Sequence, residues 1–354
     1  MQGVEAGPNR GEIMSLRRLS MACFAFAALM VPALAQDNTQ PAAAPGTYAH
    51  PDKAYLFAHM KTGHYGILYY SVSRDGLYWT ELNGGKPVSK DYHGHASIAQ
   101  GADGRYYLVG NKSDEDPLIR FWVSDDLITW TPYGTYQPDL QSAVGLANPL
   151  QRIGAPKLYF DKPSKRFLLS WHTPTVPGSA SDPERYWESQ RTLYVLSPDL
   201  KSFAGPPRRL FEWEMATIDT VIQPNPEGGY CAILKDERYP SYAWTTGKTI
   251  RITCAKDMTG PYPTPGPSLS PNFREAPTII RAPNGADWLL YYEQYAGTSY
   301  GVSKAPRLEG PWFQMSGNSG VTEWNRYAVP AGARHGSMIE ISKAQYDKLV
   351  AAFK

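Results

Sequence analysis

Cysteine is scarce in this chain, which has three cysteines among 354 residues. This scarcity excludes a scaffold held together by many disulfides. Cys23 lies in an N-terminal apolar run, so Cys231 and Cys254 are the cysteines expected in the folded part. Their spacing and neighbours do not match a zinc site. Because we predict that they lie on neighbouring strands, a disulfide and a pair of buried thiols both remain open.

The sequence also lacks a charge of dominant sign. Its formal net charge is +2, and its lysines and arginines form no cluster. Nucleic acids and anionic membrane surfaces are bound by concentrated basic side chains. We therefore expect no nucleic-acid partner and favour a neutral one, bound by a monomer or a small homo-oligomer.

The one long apolar run, residues 21–34, is too short to span a bilayer as a permanent helix. It follows a basic stretch at residues 14–18 (MSLRR) and ends in small residues at 33–35 (ALA), an order typical of a secretory signal. We predict that residues 1–35 comprise upstream residues and this signal, and that the protein is periplasmic or secreted, with no membrane attachment after cleavage. An uncleaved anchor is the alternative. Residues 36–49 are predicted to be a flexible lead-in, and residues 50–354 a single domain.

Aromatic side chains are abundant, with 24 Tyr and 10 Trp. Both residue types combine an apolar ring face with a hydrogen-bonding edge, and a sugar ring presents complementary surfaces. The same residues also supply bulk to β-rich cores. The composition therefore indicates either carbohydrate binding or a bulky β core.

Five versions of one turn recur along the chain. Each follows an alternating apolar segment and leads to an aromatic residue that opens the next strand. The turns are residues 73–79 (SRDGLYW), 124–130 (SDDLITW), 197–203 (SPDLKSF), 255–262 (AKDMTGPY) and 303–312 (SKAPRLEGPW). Their closing aromatics recur at the spacing of a four-stranded propeller blade. The sequence therefore predicts an all-β fold, a five-bladed β-propeller of four-stranded antiparallel blades.

The innermost strand of each blade indicates how the ring closes. Candidate inner strands are residues 95–98 (HASI), 155–158 (APKL), 219–222 (DTVI), 275–279 (EAPTI) and 335–339 (HGSMI). The first blade has no inner strand of its own, so we predict that the C-terminal strand joins it. Such closure removes exposed sheet edges. A short helix over residues 342–353 is predicted to end the chain.

Inner strands of a propeller start near the same end of the central channel, so the residues that open them converge. The converging set consists of His95, Lys157, Asp219, Glu275 and His335, with Arg274 and Arg334 beside them. Ionisable groups in a narrow channel cost free energy unless they are paired or used. The set therefore indicates a functional site, and a polar plug that satisfies itself is the alternative.

Two carboxylates in this set point to hydrolysis of a glycosidic bond. Inverting hydrolysis needs a protonated carboxyl group that donates to the leaving oxygen, and a base about 6.5–9.5 Å away that activates water. We expect burial and the negative charge of Asp219 to raise the pKa of Glu275 and keep it protonated.

These features resemble the five-bladed propellers of glycoside hydrolase family 43, especially its arabinofuranosidase-like members, across nearly the whole predicted domain. The matching stretches are residues 56–58 (LFA), 73–79 (SRDGLYW), 82–88 (LNGGKPV), 218–219 (ID), 235–238 (KDER), 275–277 (EAP) and 333–336 (ARHG). The resemblance implies an exo-acting furanosidase that uses an oligosaccharide or polysaccharide and requires no cofactor. It further implies that Glu275 is the general acid, that Asp219 tunes and orients it, and that His335 approaches a calcium or other ion through water.

The chain departs from the family pattern at two places. Residues 94–97 (GHAS) stand where the family usually has Arg-Asp-Pro-Ser, with the Asp as general base, so His95 takes the base position. Lys157 stands where an acid usually follows Ala-Pro. Neutral histidine accepts a proton from water near its ordinary pKa of about 6.5, but it brings no negative charge to an oxocarbenium-like transition state. We therefore expect a hydrolase of reduced rate.

Two other functions remain open. Lys157, Arg274 and Arg334 would suit an acidic sugar, from which His95 or His93 would abstract a proton in a β-elimination catalysed by a lyase. A propeller that binds sugar without turnover is the other alternative. Several aromatic and histidine side chains are candidates either for a sugar subsite or for core packing: Trp171, Tyr295, His64, His172, Trp187 and Tyr239. Asp91 is either a displaced base or an exposed loop acid, and residues 236–238 are predicted to be a structural charge cluster.

Overall fold

The computed structural model describes residues 50–140, 152–176, 183–295, 299–315 and 327–354. All of them belong to one compact unit, Ala43–Lys354. The predicted signal and lead-in, residues 1–49, lie outside the described residues. No helix in the described part of the chain is long and apolar enough to cross a bilayer.

Short β-strands follow one another along the described residues. In chain order they are β1 (Lys53–Lys61), β2 (His64–Ser73), β3 (Thr80–Glu81), β4 (Ser97–Gln100), β5 (Tyr106–Gly110), β6 (Ile119–Ser124), β7 (Thr131–Tyr136), β8 (Gly154–Asp161), β9 (Arg166–Pro174), β10 (Gln190–Ser197), β11 (Arg208–Arg209), β12 (Thr217–Pro224), β13 (Tyr230–Asp236), β14 (Thr249–Ala255), β15 (Glu275–Arg281), β16 (Trp288–Gln294), β17 (Ser299–Ala305), β18 (Phe313–Gln314) and β19 (Ala333–Ser342). The helices are a 3₁₀ turn (Asn83–Gly85), α1 (Pro183–Glu188) and α2 (Lys343–Ala352).

The strands form five antiparallel sheets, which confirms the predicted five-bladed propeller. Their hydrogen-bonded orders are β19-β1-β2-β3, β4-β5-β6-β7, β8-β9-β10-β11, β12-β13-β14 and β15-β16-β17-β18. The fourth sheet has three strands in the described residues. Beside its outer strand β14, the N–H of Leu269 donates to the carbonyl of Ile250 at 2.8 Å, so the segment around Leu269 bonds to the outer edge of this blade.

The C-terminal strand closes the ring as predicted. β19 pairs with β1 in antiparallel register from Lys53 opposite Ser342 to Lys61 opposite Ala333. The first blade therefore contains both ends of the domain, and its inner edge is paired rather than exposed. α2 follows directly, and Ser342 caps it in a box with Gln345, close to the helix predicted over residues 342–353.

The five inner strands lie around one axis in the order β19, β4, β8, β12, β15 and back to β19. Strands of different blades do not pair as sheets, so their backbone N–H groups need side-chain partners. Four junctions contain such a bond: Ile98 N to Ser337 Oγ at 3.2 Å, Leu158 N to Ser97 Oγ at 3.0 Å, Ala276 N to Asp219 Oδ2 at 3.0 Å, and Met338 N to Thr278 Oγ1 at 2.8 Å. These bonds tie neighbouring blades together next to the channel.

Five apolar clusters fill the five interfaces between neighbouring blades. Because a blade is covered on both faces, its middle strands are apolar without alternation, and β1 buries residues 54–60 consecutively. Trp79 packs edge-on against Tyr55 and Tyr291 where the first and fifth blades meet. Full burial of one large apolar side chain contributes about 1.5–3 kcal/mol.

The repeated turn has a common hydrogen-bond scheme in the first three blades. In the first blade the Ser73 hydroxyl accepts from Gly76 N at 2.9 Å, and the Asp75 carboxylate accepts from Leu77 N and Tyr78 N at 2.8 and 2.9 Å. The same scheme recurs in the turns at residues 124–130 and 197–203. The Ser-x-Asp pattern therefore fixes the turn that follows the third strand in each of these three blades.

Cys231 and Cys254 form a disulfide. They are directly opposite each other on β13 and β14. Of the two arrangements left open by the sequence, the structure therefore has the bridged one.

Candidate active site

Four inner strands contain an extra residue at the same end of the channel. Strand pairing shifts at residues 154–157, 218–221 and 275–278, and β19 carries His335 as the additional residue opposite β1. Ala155, Asp219 and Ala276 adopt positive φ angles of 39°, 52° and 48° within these bulges. Such a conformation costs on the order of 1–3 kcal/mol in a non-glycine residue. The bulges turn side chains out of the blades and towards the channel mouth.

A cavity of about 350 Å³ lies at this mouth. It is lined by side chains from all five blades, which are Tyr65, His95, Asp114, His172, Trp187, Ile218, Asp219, Lys235, Glu237, Tyr239, Lys248, Glu275, Tyr295, Arg334 and His335. The predicted convergence of His95, Asp219, Glu275 and His335 is therefore confirmed. Lys157 is buried and is not part of the lining.

Glu275 opens β15 and reaches the cavity with a side chain that is 14% exposed. Its Oε2 accepts from Lys235 Nζ at 2.9 Å, and its Oε1 lies 2.9 Å from His335 Nε2 and 3.4 Å from an Arg334 nitrogen. Three basic side chains thus surround a single carboxyl group.

These contacts overturn the expectation that Glu275 is protonated. Burial opposes its ionisation, but Lys235 and His335 outweigh burial and lower the pKa of Glu275 well below its ordinary value. Asp219 does not dominate because the cations are in direct contact with the Glu275 carboxylate. In the free protein Glu275 is therefore a carboxylate.

Acidic and basic side chains alternate along one wall of the cavity. Lys248 bonds to Glu237, Lys235 Nζ lies 2.9 Å from both Glu237 and Glu275, and Glu275 contacts His335. Burial alone would lower the pKa of Lys235, but Glu275 and Glu237 raise it. The predicted structural role of residues 236–238 therefore holds only in part, since the Glu237 side chain belongs to the cavity wall while Asp236 pairs with Arg238 and Arg251.

His335 is held as an imidazolium. Burial would lower its pKa, but Glu293 and Glu275 outweigh burial and raise the pKa to about 9. Glu293 is fully buried on β16, and its carboxylate also accepts from the His335 backbone N–H at 2.9 Å. Gly336 follows because a Cβ at that position would lie 2.1 Å from the carbonyl oxygen of Ala58. The sequence of residues 334–336 thus suits a bulge whose backbone lies close to that of β1.

Asp219 and Lys157 are buried next to the cavity. Asp219 Oδ2 accepts from Ala276 N, the residue after Glu275, so this carboxylate helps to position Glu275. Its Oδ1 and the Lys157 ammonium both have no hydrogen-bond partner among the described residues. Burial lowers the pKa of Lys157, although the nearby Asp219 and Glu293 oppose this effect.

His95 lines the cavity and contacts the tyrosine beside it. Its Nε2 lies 2.6 Å from the Tyr65 hydroxyl, and that hydroxyl donates to Asp114 Oδ1 at 3.3 Å. Burial, together with His335 and Lys157, lowers the pKa of His95 well below 6.5. A neutral His95 that donates from Nε2 to the tyrosine oxygen leaves the tyrosine proton for Asp114.

The family described as "Probable glycosyl hydrolase domain", which is related to glycoside hydrolase family 43, matches residues 50–347. The chain belongs to this family. The predicted resemblance to family 43 propellers is therefore confirmed. No curated protein matches the sequence.

Several solved structures are similar at low identity. A putative exo-beta-1,3-galactanase from Bifidobacterium bifidum s17 is 16% identical over 62% of this chain and 68% of that chain, with a TM-score of 0.44. An alpha-L-arabinofuranosidase from Lactobacillus brevis is 12% identical over 62% of this chain and 71% of that chain, with a TM-score of 0.45. An exo-beta-1,3-galactanase from Phanerochaete chrysosporium with beta-1,3-galactotriose is 16% identical over 68% of this chain and 52% of that chain, with a TM-score of 0.46. At these identities and TM-scores the similarity assigns neither a substrate nor a residue role to this chain.

Besides Lys157, three residues predicted to bind substrate do not line the cavity of this family member. Trp171 on β9 packs into the core between the second and third blades, because its side chain points to the neighbouring blade. Arg274 donates to the carbonyls of Asn272 and Phe273 at 2.9 and 3.1 Å. His93 packs over Gly66, where a Cβ would lie 2.2 Å from its ring. Tyr295 and Arg334 do line the cavity.

The remaining candidates divide in the same way. His172, Trp187 and Tyr239 line the cavity. His64 instead bonds to Tyr69, and Asp91 is exposed on a loop.

Tyr65, Asp114 and Lys248 were not predicted and are part of the cavity lining. They lie in or beside the connections between the second and third strands of their blades. An inner strand that starts at the cavity is followed by a strand that returns to it, so each of these connections reaches the cavity end. Once the blades are assigned, this topological rule identifies the segments that contain all three residues.

Direct coordination of calcium does not fit the residues around His335, and the expected approach through water stays a prediction. Two groups of side chains around His335 place possible metal-ligating atoms within 4.8 Å of one another. They are His95 with Asp219 and His335, and Glu275 with Glu293 and His335. Calcium takes six to eight oxygen ligands, whereas these groups offer few oxygens and include an imidazolium. Lys157 and Arg334 add further positive charge. We derive no catalytic step through a metal.

The histidines predict the pH range of maximal stability. Burial lowers the pKa of His59 and His172 from 6.5 to about 4, so their unfolded forms bind protons first and stability falls as pH decreases from about 6.5 to 4. The raised pKa of His335 stabilises the fold fully below about pH 6.5, and this contribution is lost as pH rises through about 9. Each group contributes a slope of up to about 1.4 kcal/mol per pH unit. Urea unfolding between pH 4 and 9.5 should show a maximum near neutrality, and a flat profile would contradict these assignments.

Proposed function

We propose that this protein is an exported glycoside hydrolase that cleaves a glycosidic bond of an oligosaccharide or polysaccharide in the cavity. Membership of the glycosyl hydrolase family supports the reaction class. The observation that carries the proposal is the carboxylate of Glu275, which is fixed by three basic groups and reaches a cavity with aromatic walls. Such a fixed charge stabilises an oxocarbenium-like transition state without reorganisation.

Aromatic rings supply the surface for a sugar. Trp187, Tyr239 and Tyr295 line the cavity, and each offers a ring face against which C–H groups of a sugar can pack. Lys248 Nζ lies 4.2 Å from the Tyr239 ring centre, and Lys235 Nζ lies 4.8 Å from that of Tyr295. The cations that order Glu275 and Glu237 therefore also order these rings.

The residues next to Glu275 have separate tasks in this proposal. Asp219 positions Glu275 through the Ala276 N–H, and His95 positions the Tyr65 hydroxyl. Glu275 accepts the proton of the attacking water. Its lowered pKa makes it a weak base, so we expect slow turnover.

The narrower proposal is exo action on a furanoside with inversion. The small cavity suits a terminal sugar unit, which favours exo action. Elimination from an acidic sugar has less support, because Arg334 is paired with Glu293 and Glu275 while Arg274 bonds to backbone carbonyls. Lys157 is not part of the cavity lining, so among the described residues no unpaired lysine or arginine lines the cavity to hold a sugar carboxylate.

A substrate panel tests this function. The mature protein is incubated with aryl furanosides, aryl pyranosides and neutral oligosaccharides, and released sugar is followed by NMR, which also reports the first-formed anomer. We expect slow release of a terminal sugar with inverted configuration. Sugar binding without any turnover across the panel would reject the hydrolase and favour a binding propeller, whereas an unsaturated product would favour a lyase.

A further inference from the structure

Hydrolysis requires a proton donor, and Glu275 does not meet this requirement. Its carboxylate touches Lys235, His335 and Arg334, each of which stabilises the ionised form. A glycosidase site contains two carboxyl groups whose surroundings separate their protonation states. Asp219 lines the same cavity but already positions Glu275 through the Ala276 N–H. The second group must therefore be another carboxyl that reaches this cavity and takes part in no ion pair.

Asp114 meets both conditions. It lines the cavity, and among the described residues it takes part in no ion pair. Its Oδ1 accepts the Tyr65 hydroxyl proton, which leaves Oδ2 as the oxygen that can carry a proton. Burial raises the pKa of Asp114, although the Tyr65 hydrogen bond opposes this effect. The surroundings of Asp114 thus raise its pKa, whereas those of Glu275 lower its pKa.

The loop that carries Asp114 is fixed to the neighbouring blade. The Asn111 side chain is buried and donates to the carbonyls of Ser113 and Ile153, both at 2.8 Å. The N–H of Ile153 in turn donates to the Asp114 carbonyl at 3.1 Å. These bonds hold the Asp114 backbone from both sides. A group that donates a proton to a leaving oxygen must be positioned in this way.

Tyr65 links Asp114 to the position where the family usually has its base. The Tyr65 hydroxyl lies 2.6 Å from His95 Nε2 and 3.3 Å from Asp114 Oδ1. His95 therefore fixes the tyrosine, and the tyrosine fixes one oxygen of Asp114. His95, at the position of the usual aspartate, is thus connected through the Tyr65 hydroxyl to the Asp114 carboxyl group on another loop.

We propose that Asp114 is the proton donor of this site, positioned by Tyr65 and His95. The proposal rests on the proposed hydrolase function. The Asp114 O–H gives its proton to the glycosidic oxygen as the bond from that oxygen to the anomeric carbon breaks. Water forms the new bond to the anomeric carbon and gives its proton to Glu275. The products are an alcohol and a free sugar, and proton exchange with solvent restores both carboxyl groups.

The leaving group distinguishes a proton donor from a base. A 2,4-dinitrophenolate leaves without protonation, whereas an alkoxide does not. We therefore expect Asp114→Asn to lower kcat/KM by about 10²–10⁴-fold on alkyl glycosides or oligosaccharides and by less than about tenfold on 2,4-dinitrophenyl glycosides. Glu115→Gln is the matched control, because it removes a neighbouring exposed carboxylate whose one ion pair in the described part of the chain is with Arg152. It should remain within about twofold of the wild type on both substrates.

Tyr65→Phe gives a second test that does not alter the carboxyl group. Loss of the hydroxyl removes a hydrogen bond that favours ionised Asp114, so the alkaline limb of the kcat/KM profile should move to higher pH. A purely structural role of Tyr65 would lower stability without moving this limb. Thermal unfolding of each variant, followed by circular dichroism, checks that the fold is retained.

The outcomes separate this proposal from the function on which it rests. Two outcomes with an active wild type would overturn the role of Asp114 and leave the hydrolase intact. In the first, Asp114→Asn has the same kcat/KM as Glu115→Gln. In the second, replacing Glu275, and not Asp114, gives a loss that depends on the leaving group. If Asp114→Asn does not fold, an unmoved alkaline limb in Tyr65→Phe overturns the role of Asp114. A wild type without turnover on any substrate rejects both.

Discussion

Replacing Glu275 with Gln is expected to lower kcat/KM for glycoside cleavage by about 10²–10⁴-fold. The neutral amide removes the charge that faces the transition state and leaves Lys235, His335 and Arg334 without their common partner. If Glu275 acts as a base, the loss should be similar for good and poor leaving groups. Initial rates on both kinds of substrate measure this directly.

Glu340→Gln is the matched control for this prediction. Glu340 lies on an inner strand, β19, like Glu275 on β15, but it is exposed, and among the residues that the structure describes its one ion pair is with Lys53 at 3.0 Å. Its replacement should leave kcat/KM within about twofold of the wild type. Activity of Glu275→Gln equal to that of the control would remove Glu275 from the mechanism.

Replacing Lys235 with Met is expected to lower the free energy of unfolding by about 3–5 kcal/mol. The ammonium lies 2.9 Å from both Glu275 and Glu237, and all three side chains are largely buried. Methionine keeps the apolar length of the side chain but leaves two buried carboxylates without their shared cation. Equilibrium unfolding in urea, with the slope of the transition held common, measures the loss.

Lys53→Met is the control for this second prediction. Its ion pair with Glu340 is exposed to solvent, where such pairs contribute about 0–1 kcal/mol. The same substitution should therefore have a small effect on β1 and a large one on β13. Equal losses at the two positions would show that the alternating charges along the cavity wall do not stabilise the fold.

The predicted convergence of inner-strand residues succeeded because a propeller has simple geometry. Once the repeated turns assign the blades, the residues that open the inner strands must meet around one axis. Asp219, Glu275 and His335 illustrate this, since they are far apart in sequence and line one cavity. The side chains that failed to reach the cavity, such as Trp171, are those whose direction depends on the local alternation of a strand.

The protonation state of Glu275 was not predictable in the same way. Its neighbours Lys235 and Arg334 come from other blades, and the distances of 2.9 and 3.4 Å to them decide the direction of its pKa. The sequence showed that Asp219 would be near, but not that three basic groups would be nearer. Electrostatic interactions fall steeply with distance in a protein, so contacts rather than membership of the site determine the charge.

The sequence by itself determined the number of blades, their order, the closure by β19 and the set of strands that opens at the candidate active site. These properties follow from periodic apolar segments and turn residues, which act through local backbone preferences and the need to bury both faces of each blade. Only the tertiary structure decided which side chains enter the cavity and which of them are held in ion pairs. Those outcomes depend on β-bulges and on loops from different blades that meet in space, and such distances are not encoded in any single segment.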